Sequence, residues 1–172
     1  EFAVRQGELR VPRLTRPTQA LAVPSSENKN WRLDFTARGT LENLTLAPVE
    51  TSNVLAPGQV RVGLRAAGVN FRDVLNVLGM YPGDAGQLGL EGAGVVLEVA
   101  DGVTRLQPGD HVMGLFTAAF GPEVVTDERL LVAVPNGWSL TEAAAAPVVY
   151  LTAYYALVDL AGLGSGERIL IH

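Results

Sequence analysis

Asn70, Arg72 and Asp73 place an amide, a guanidinium and a carboxylate within four residues of each other. The Asn70 amide can both donate and accept hydrogen bonds, so it either meets a ligand or fixes the turn before a helix. Asp73 or Asn70 can cap that helix, and Arg72 can pair with Asp73 to orient the neighbouring loop. Thr152 stands in a helical stretch, where its hydroxyl needs a partner: the carbonyl four residues back or a bound group. Metal chemistry is poorly supplied. There is no cysteine, and His111 and His172 are the only histidines, whereas catalytic zinc takes three Cys, His or carboxylate ligands. His111, beside Asp110 at the start of a strand, is expected in solvent, and Glu91 is expected as a buried, hydrogen-bonded structural carboxylate. The run Gly162-Leu163-Gly164-Ser165-Gly166 has the glycines of a phosphate loop but the wrong context. A dinucleotide fingerprint follows a strand and opens a helix, and here a helix precedes the glycines, so they read as a helix stop.

The elements that position these residues follow from periodicity. Trp31–Phe35, Leu44–Leu46 and Gln59–Ala66 alternate apolar and polar side chains, with Val60, Val62 and Leu64 on one face and Arg61 and Arg65 on the other. A strand with one wet face belongs to an antiparallel sheet or barrel wall. Phe71, Val74, Leu75 and Leu78 then follow the helical spacing, ending at Gly79. After a loop from Tyr81 to Gly89, strands are expected at Gly94–Val99, His111–Phe116, Val124–Thr126 and Leu130–Val134, with a turn at Pro108-Gly109. Strands at this spacing indicate a small barrel. Ser139 and Glu142 have capping-box spacing. A helix opened or kinked by Pro147 should run to Leu160, with Tyr150 in the core, and Arg168–Ile171 should be a buried strand. Near the N-terminus, Leu9–Leu14 could be an edge strand, and Pro24–Asn30 reads as loop.

The chain has 172 residues, with 48% hydrophobic and 18% charged side chains, so a well-filled core is within reach and disorder is excluded. Its net charge of -5 lacks the basic excess that phosphate backbones attract, so nucleic acid is not an expected partner. No apolar run reaches the roughly 18 residues of a membrane span, and no secretory h-region is visible. Cytoplasmic is the default expectation.

Four blocks carry a more specific signal: Gly68-Val69-Asn70-Phe71-Arg72-Asp73-Val74-Leu75, Leu90-Glu91-Gly92-Ala93-Gly94-Val95-Val96, Pro108-Gly109-Asp110-His111-Val112-Met113-Gly114 and Arg168-Ile169-Leu170-Ile171-His172. In this order they resemble the enoyl reductase domain of modular polyketide synthases and animal-type fatty acid synthase. That group belongs to the medium-chain dehydrogenase/reductase superfamily, with quinone oxidoreductase as a close relative. The resemblance covers roughly residues 31–172. It implies a mainly β fold with short helices: a GroES-like substrate-binding barrel over 31–140, then the first helix and strand of a truncated Rossmann domain over 141–172. Residues 1–30 would be a linker with an edge strand.

The same resemblance implies hydride transfer from NADPH to an acyl-carrier-protein-bound enoyl thioester, with neighbouring polyketide synthase domains as partners. Zinc-dependent members of the superfamily carry cysteine at the position of Asn70 and histidine just before that of Glu91. Asn70 and Leu90 stand there instead, implying zinc-independent chemistry. Tyr81 is implied as the donor that protonates the α-carbon and so sets its configuration, and Asn70 as a contact to the nicotinamide ribose or the substrate carbonyl. Thr152 is implied as a cofactor contact, with Arg72 beside it in the cofactor-binding set. The family's phosphate loop would follow His172, so the 172 residues alone are expected neither to bind NADPH tightly nor to turn over. A stand-alone quinone oxidoreductase and a non-catalytic scaffold are the competing readings.

Overall fold

Alternation of side chains across a pleated strand puts Val60, Val62 and Leu64 on one face, and all three are buried. The computed structural model describes residues 3–5, 8–10, 21–24, 30–50 and 54–171. Two short hairpins come first: β1 (Ala3–Arg5) with β2 (Glu8–Arg10), and β3 (Trp31–Phe35) with β4 (Leu44–Pro48). Of the expected edge strand only Leu9 and Arg10 fall in β2; Val11–Leu14, Ser25–Lys29 and His172 lie outside the described residues. The main sheet is antiparallel and has five strands: β5 (Gln59–Gly68), β6 (Glu91–Val99), β7 (His111–Leu115), β8 (Glu123–Asp127) and β9 (Leu131–Ala133), in the order β8-β5-β6-β7-β9. Helix α1 (Phe71–Val77) lies between β5 and β6, and α2 (Leu140–Ala144) and α3 (Pro147–Tyr154) follow β9.

One core holds the sheet. Val60, Val62, Val112 and Leu131 are wholly buried, packed with Leu64, Val96, Phe116 and Val124. Each such side chain contributes on the order of 1.5–3 kcal/mol relative to exposure. Close strand approach also needs Gly94, because a Cβ there would run into the backbone of Gly63. The β5–β6 ladder slips between Arg61 and Val62 and again between Leu64 and Ala66, which bends the pair.

The expected barrel is not closed. β8 and β9 are opposite edges of the sheet, yet only the 3-10 turn Glu128–Leu130 separates them in the chain. The sheet therefore rolls until its edges meet at a turn, where side-chain bonds replace a ladder. Asp127 accepts from the Arg129 backbone N–H at 2.9 Å and from Arg129 Nη2 at 2.7 Å, and Arg105 Nη2 donates to the Glu128 carbonyl at 2.6 Å. The Arg129 side-chain and backbone bonds hold the Asp127 carboxyl down at about 2. The β3–β4 hairpin joins the wall through Leu33 N–H to Phe120 O, 2.7 Å.

The C-terminal segment keeps its expected helix starts and departs from expectation at Tyr150 and at Arg168–Ile171. The capping box forms as spaced, with Ser139 Oγ accepting from Glu142 N–H (3.2 Å) and Glu142 Oε2 accepting from Ser139 N–H (2.8 Å). The Ser139 backbone N–H, and then its hydroxyl at 2.8 Å, donate to the Glu142 carboxylate and lower it below its usual range. Helix α2 ends at Ala144, and Pro147 opens the next helix at its first turn, one of the two expected roles, where a missing N–H costs nothing. That helix becomes π-helical over Tyr155–Leu160. Tyr150 is not in the core: it is 68% exposed, because α3 presents apolar side chains all round and only one side meets the sheet. Nor does Arg168–Ile171 form a buried strand. It makes no ladder with any described strand, and Leu170 and Ile171 are exposed. A strand exists only through its neighbours' N–H and C=O groups, and none is offered.

Candidate functional site

Helix α1 begins with Asn70 in extended backbone as its cap. Asp73 Oδ2 accepts the Asn70 backbone N–H at 3.0 Å, as the capping pattern predicts. The other Asp73 oxygen accepts the Gly89 N–H at 3.0 Å, so one buried carboxylate ties the helix to the far end of the 81–89 loop. Asn76 Nδ2, also buried, donates to Gly86 O at 2.8 Å, and Arg72 Nη1 reaches Gln87 O at 3.5 Å. Arg72 lies 3.7 Å from Asp73 Oδ1, and its guanidinium stands 6.0 Å from the centre of the Tyr81 ring. The expected ion pair therefore exists, and the polar face of α1 holds the loop that carries Tyr81. Tyr81 itself is half-buried.

Glu91 is the first residue of β6 and is 3% exposed. Its Oε1 accepts from Asn70 Nδ2 at 2.9 Å, and its Oε2 accepts the Val148 N–H at 2.8 Å. Val148 is the second residue of α3, so the carboxylate sits on the free N–H groups at a helix N-terminus, where negative charge is favoured. The expected structural carboxylate is thus present, and it does more than fill space. Asp73 and Glu91 between them connect the loop, α1, β6 and α3 through Asn70. Gly68 makes room for this: a Cβ there would stand 2.5 Å from Glu91 Oε1.

Beside this chain of bonds lies a cleft of about 400 Å³, lined by Leu90, Phe116, Thr117, Val148, Leu151 and Thr152 among others. Leu90 adjoins Glu91 in sequence and Val148 is its hydrogen-bond partner, so the network backs the cleft wall. A larger groove of about 920 Å³ runs on under α3 past Trp138 and Tyr154, and shares Leu115, Leu130 and Leu151 with the cleft. Thr152 is on the cleft wall, and its hydroxyl donates to the Val148 carbonyl at 2.6 Å, the back-bonding alternative. Its lone pairs remain as acceptors. Asn70, Arg72 and Tyr81 cluster on the α1 side, and none of the three lines this cleft.

Among the described residues no three of His, Cys, Asp and Glu come together as metal ligands, and no helix is long and apolar enough to cross a membrane. His111 is exposed, as expected. In the Gly162–Gly166 run, the Gly164 N–H is taken by Glu167 Oε2 at 2.6 Å. An acidic side chain on that amide opposes a phosphate, which agrees with the helix-stop reading.

The sequence showed Asn70, Arg72 and Asp73 as a group because they are adjacent. It did not show the Val148 amide, 57 residues from Glu91, since a backbone N–H has no side-chain signature. The one available signal was Pro147, which marks a helix start and hence free N–H groups.

Comparison with known proteins places the site in context. The family model for the alcohol dehydrogenase GroES-like domain matches residues 56–154. Over its whole length the chain is 51% identical to a segment of the phenolphthiocerol synthesis polyketide synthase type I Pks15/1 of Mycobacterium bovis, covering 8% of that protein. It is 46% identical to a segment of the pikromycin polyketide synthase component PikAII of Streptomyces venezuelae, covering 5%. Among solved structures, the CurK enoyl reductase superposes with a TM-score of 0.75 at 33% identity, over 84% of this chain and 47% of that one. The JamJ enoyl reductase in its apo form gives 0.74 at 37%, over 84% and 46%. The quinone oxidoreductase of Escherichia coli complexed with NADPH gives 0.59 at 30%, over 74% and 40%. The chain therefore spans less than an eighth of these synthases and 40–47% of the reductases.

Proposed function

The chain belongs to the alcohol dehydrogenase GroES-like family, and from that membership we propose that it forms the substrate-binding side of a polyketide synthase enoyl reductase. The reaction is reduction of the α,β double bond of an acyl-carrier-protein-bound enoyl thioester with NADPH, without zinc. Residues 31–140 supply the substrate-binding unit, and residues from 141 onward lead into the nucleotide-binding unit. Neighbouring synthase domains deliver the substrate. The observation that carries this reading is the cleft with its apolar walls and its Thr117 and Thr152 hydroxyls, backed by the buried Glu91 that bonds half-buried Asn70 on one side and the Val148 N–H on the other.

NADPH, when bound, supplies the hydride that reaches the β-carbon of the substrate. The residues present fit its nicotinamide end. Thr152 keeps acceptor lone pairs on the cleft wall, and Asn70 and Arg72 stand on the α1 side as further contacts. They do not fit its pyrophosphate, since Glu167 already occupies the Gly164 amide. Leu90, Phe116 and Leu151 exclude water from the acyl chain and strengthen polar contacts made inside. As charge develops on the thioester oxygen, a donor must meet it, and the α-carbon must receive a proton. Tyr81 supplies that proton from a loop held by Arg72, Asp73 and Asn76.

The test is oxidation of NADPH by the complete reductase, with a crotonyl thioester and with a simple quinone as alternative acceptors. The thioester is expected to be the better substrate by kcat/KM. Reduction of the quinone alone would replace this reading with the quinone oxidoreductase one. No reduction of either would leave the scaffold reading.

A further inference from the structure

Asn70 is held from three directions, and one of its side-chain N–H groups is among them. Its backbone N–H is held by Asp73 Oδ2 and one side-chain N–H by Glu91 Oε1. Its backbone carbonyl accepts the Asp73 N–H at 2.9 Å, so Asn70 and Asp73 close the first turn of α1 as a capping pair. Asp73 and Glu91 are 4% and 3% exposed, and each uses its second oxygen on a distant backbone amide, Gly89 for one and Val148 for the other. A carboxylate only accepts. Glu91 therefore dictates which end of the Asn70 amide faces it, and the Val148 amide fixes Glu91 in turn.

From this we infer that Glu91 is a positioning residue, and that it aims the one free N–H of Asn70 at a carbonyl oxygen of a bound ligand. The inference rests on the reductase reading for its ligand: the carbonyl is either the thioester oxygen or the carboxamide oxygen of the nicotinamide. Asn70 can reach a ligand because it is half-buried, between exposed Val69 and Phe71. In the thioester case the N–H meets charge as it develops and acts on kcat. In the carboxamide case it acts on the KM for the dinucleotide.

The chemistry offers a test that separates aiming from packing. In Glu91→Gln, the new amide oxygen must face Val148 N–H, so its NH2 meets the Asn70 NH2, donor against donor. In the double substitution Asn70→Asp with Glu91→Gln, the amide NH2 introduced at position 91 donates to the new carboxylate at position 70, while the amide oxygen keeps Val148. The bonds and the net charge are restored, but no side-chain N–H is left at position 70. In the complete reductase, Glu91→Gln should lower both the melting temperature and kcat/KM. The double substitution should recover the melting temperature while kcat/KM stays down by about tenfold or more, the scale of a lost transition-state donor. Asn70→Ala, which leaves Glu91 on Val148, should show the same loss and guards against a Glu91→Gln protein that fails to fold.

Recovery of kcat/KM together with the melting temperature in the double variant would overturn the inference, as would an active Asn70→Ala. Separate titrations of thioester and dinucleotide assign the carbonyl. Kinetics are read with whichever of thioester or quinone the unaltered enzyme reduces. A wrong substrate class therefore shows in the unaltered enzyme, and a wrong aiming role shows only in the variants.

Discussion

Tyr81→Phe in the complete reductase is expected to slow double-bond reduction by roughly 10²–10⁴-fold, the range of a positioned general acid, and to scramble or invert the configuration at the α-carbon. The substitution is selective. The phenylalanine ring keeps its place 6.0 Å from the Arg72 guanidinium, and the backbone bond from residue 81 N–H to Leu75 O (3.2 Å) is untouched. The loop's other ties, from Asp73 to Gly89 and from Asn76 to Gly86, do not involve the hydroxyl. Only the O–H is lost, so the melting temperature should hold while the rate falls. Steady-state rates with a crotonyl thioester, and chiral analysis of an α-methyl product, decide it. Unchanged rate and configuration would remove Tyr81 from the chemistry and leave it a packed ring at the loop.

The largest stability effect is expected from Leu131→Ala, about 2–5 kcal/mol. Leu131 is wholly buried on the edge strand β9, opposite Gly114 of β7. Its side chain covers the bare backbone there: a Cβ on Gly114 would lie 3.0 Å from Leu131 Cδ2. Truncation opens a cavity against Val60, Val62 and Val112, in a sheet whose two edges meet only through a turn. With so little backbone pairing at that edge, the site cannot easily collapse to fill the void. Urea unfolding should show a lower midpoint with an unchanged slope. A loss under about 0.5 kcal/mol, the range of surface changes, would mean that the rolled edge does not depend on this core.

What the sequence made legible was local. Alternation gave β5 its buried face, Gly109 at φ 96° marked the turn before β7, and Ser139 with Glu142 marked the start of α2. Asn70, Arg72 and Asp73 announced themselves by adjacency. Long-range pairing stayed hidden. That β8 and β9 would be opposite edges of one sheet depends on ladder partners far away in the chain. That Arg168–Ile171 would lack a ladder depends on strands its own residues do not specify. Tyr150 was placed in the core because an apolar helix suits burial, but periodicity says nothing of whether a second layer is there to cover it. The Glu91–Val148 bond joined two segments with no shared pattern, so the key link in the site emerged only from the fold.

The central claim is hydride delivery to the β-carbon of a conjugated thioester. The direct measurement is turnover of a crotonyl thioester by the complete reductase with dihydronicotinamide carrying deuterium at its transferable position, analysed by NMR. One deuterium at the β-carbon and a solvent-derived proton at the α-carbon is the predicted outcome. Deuterium at the α-carbon, or none in the acyl product while a quinone is reduced, would contradict it.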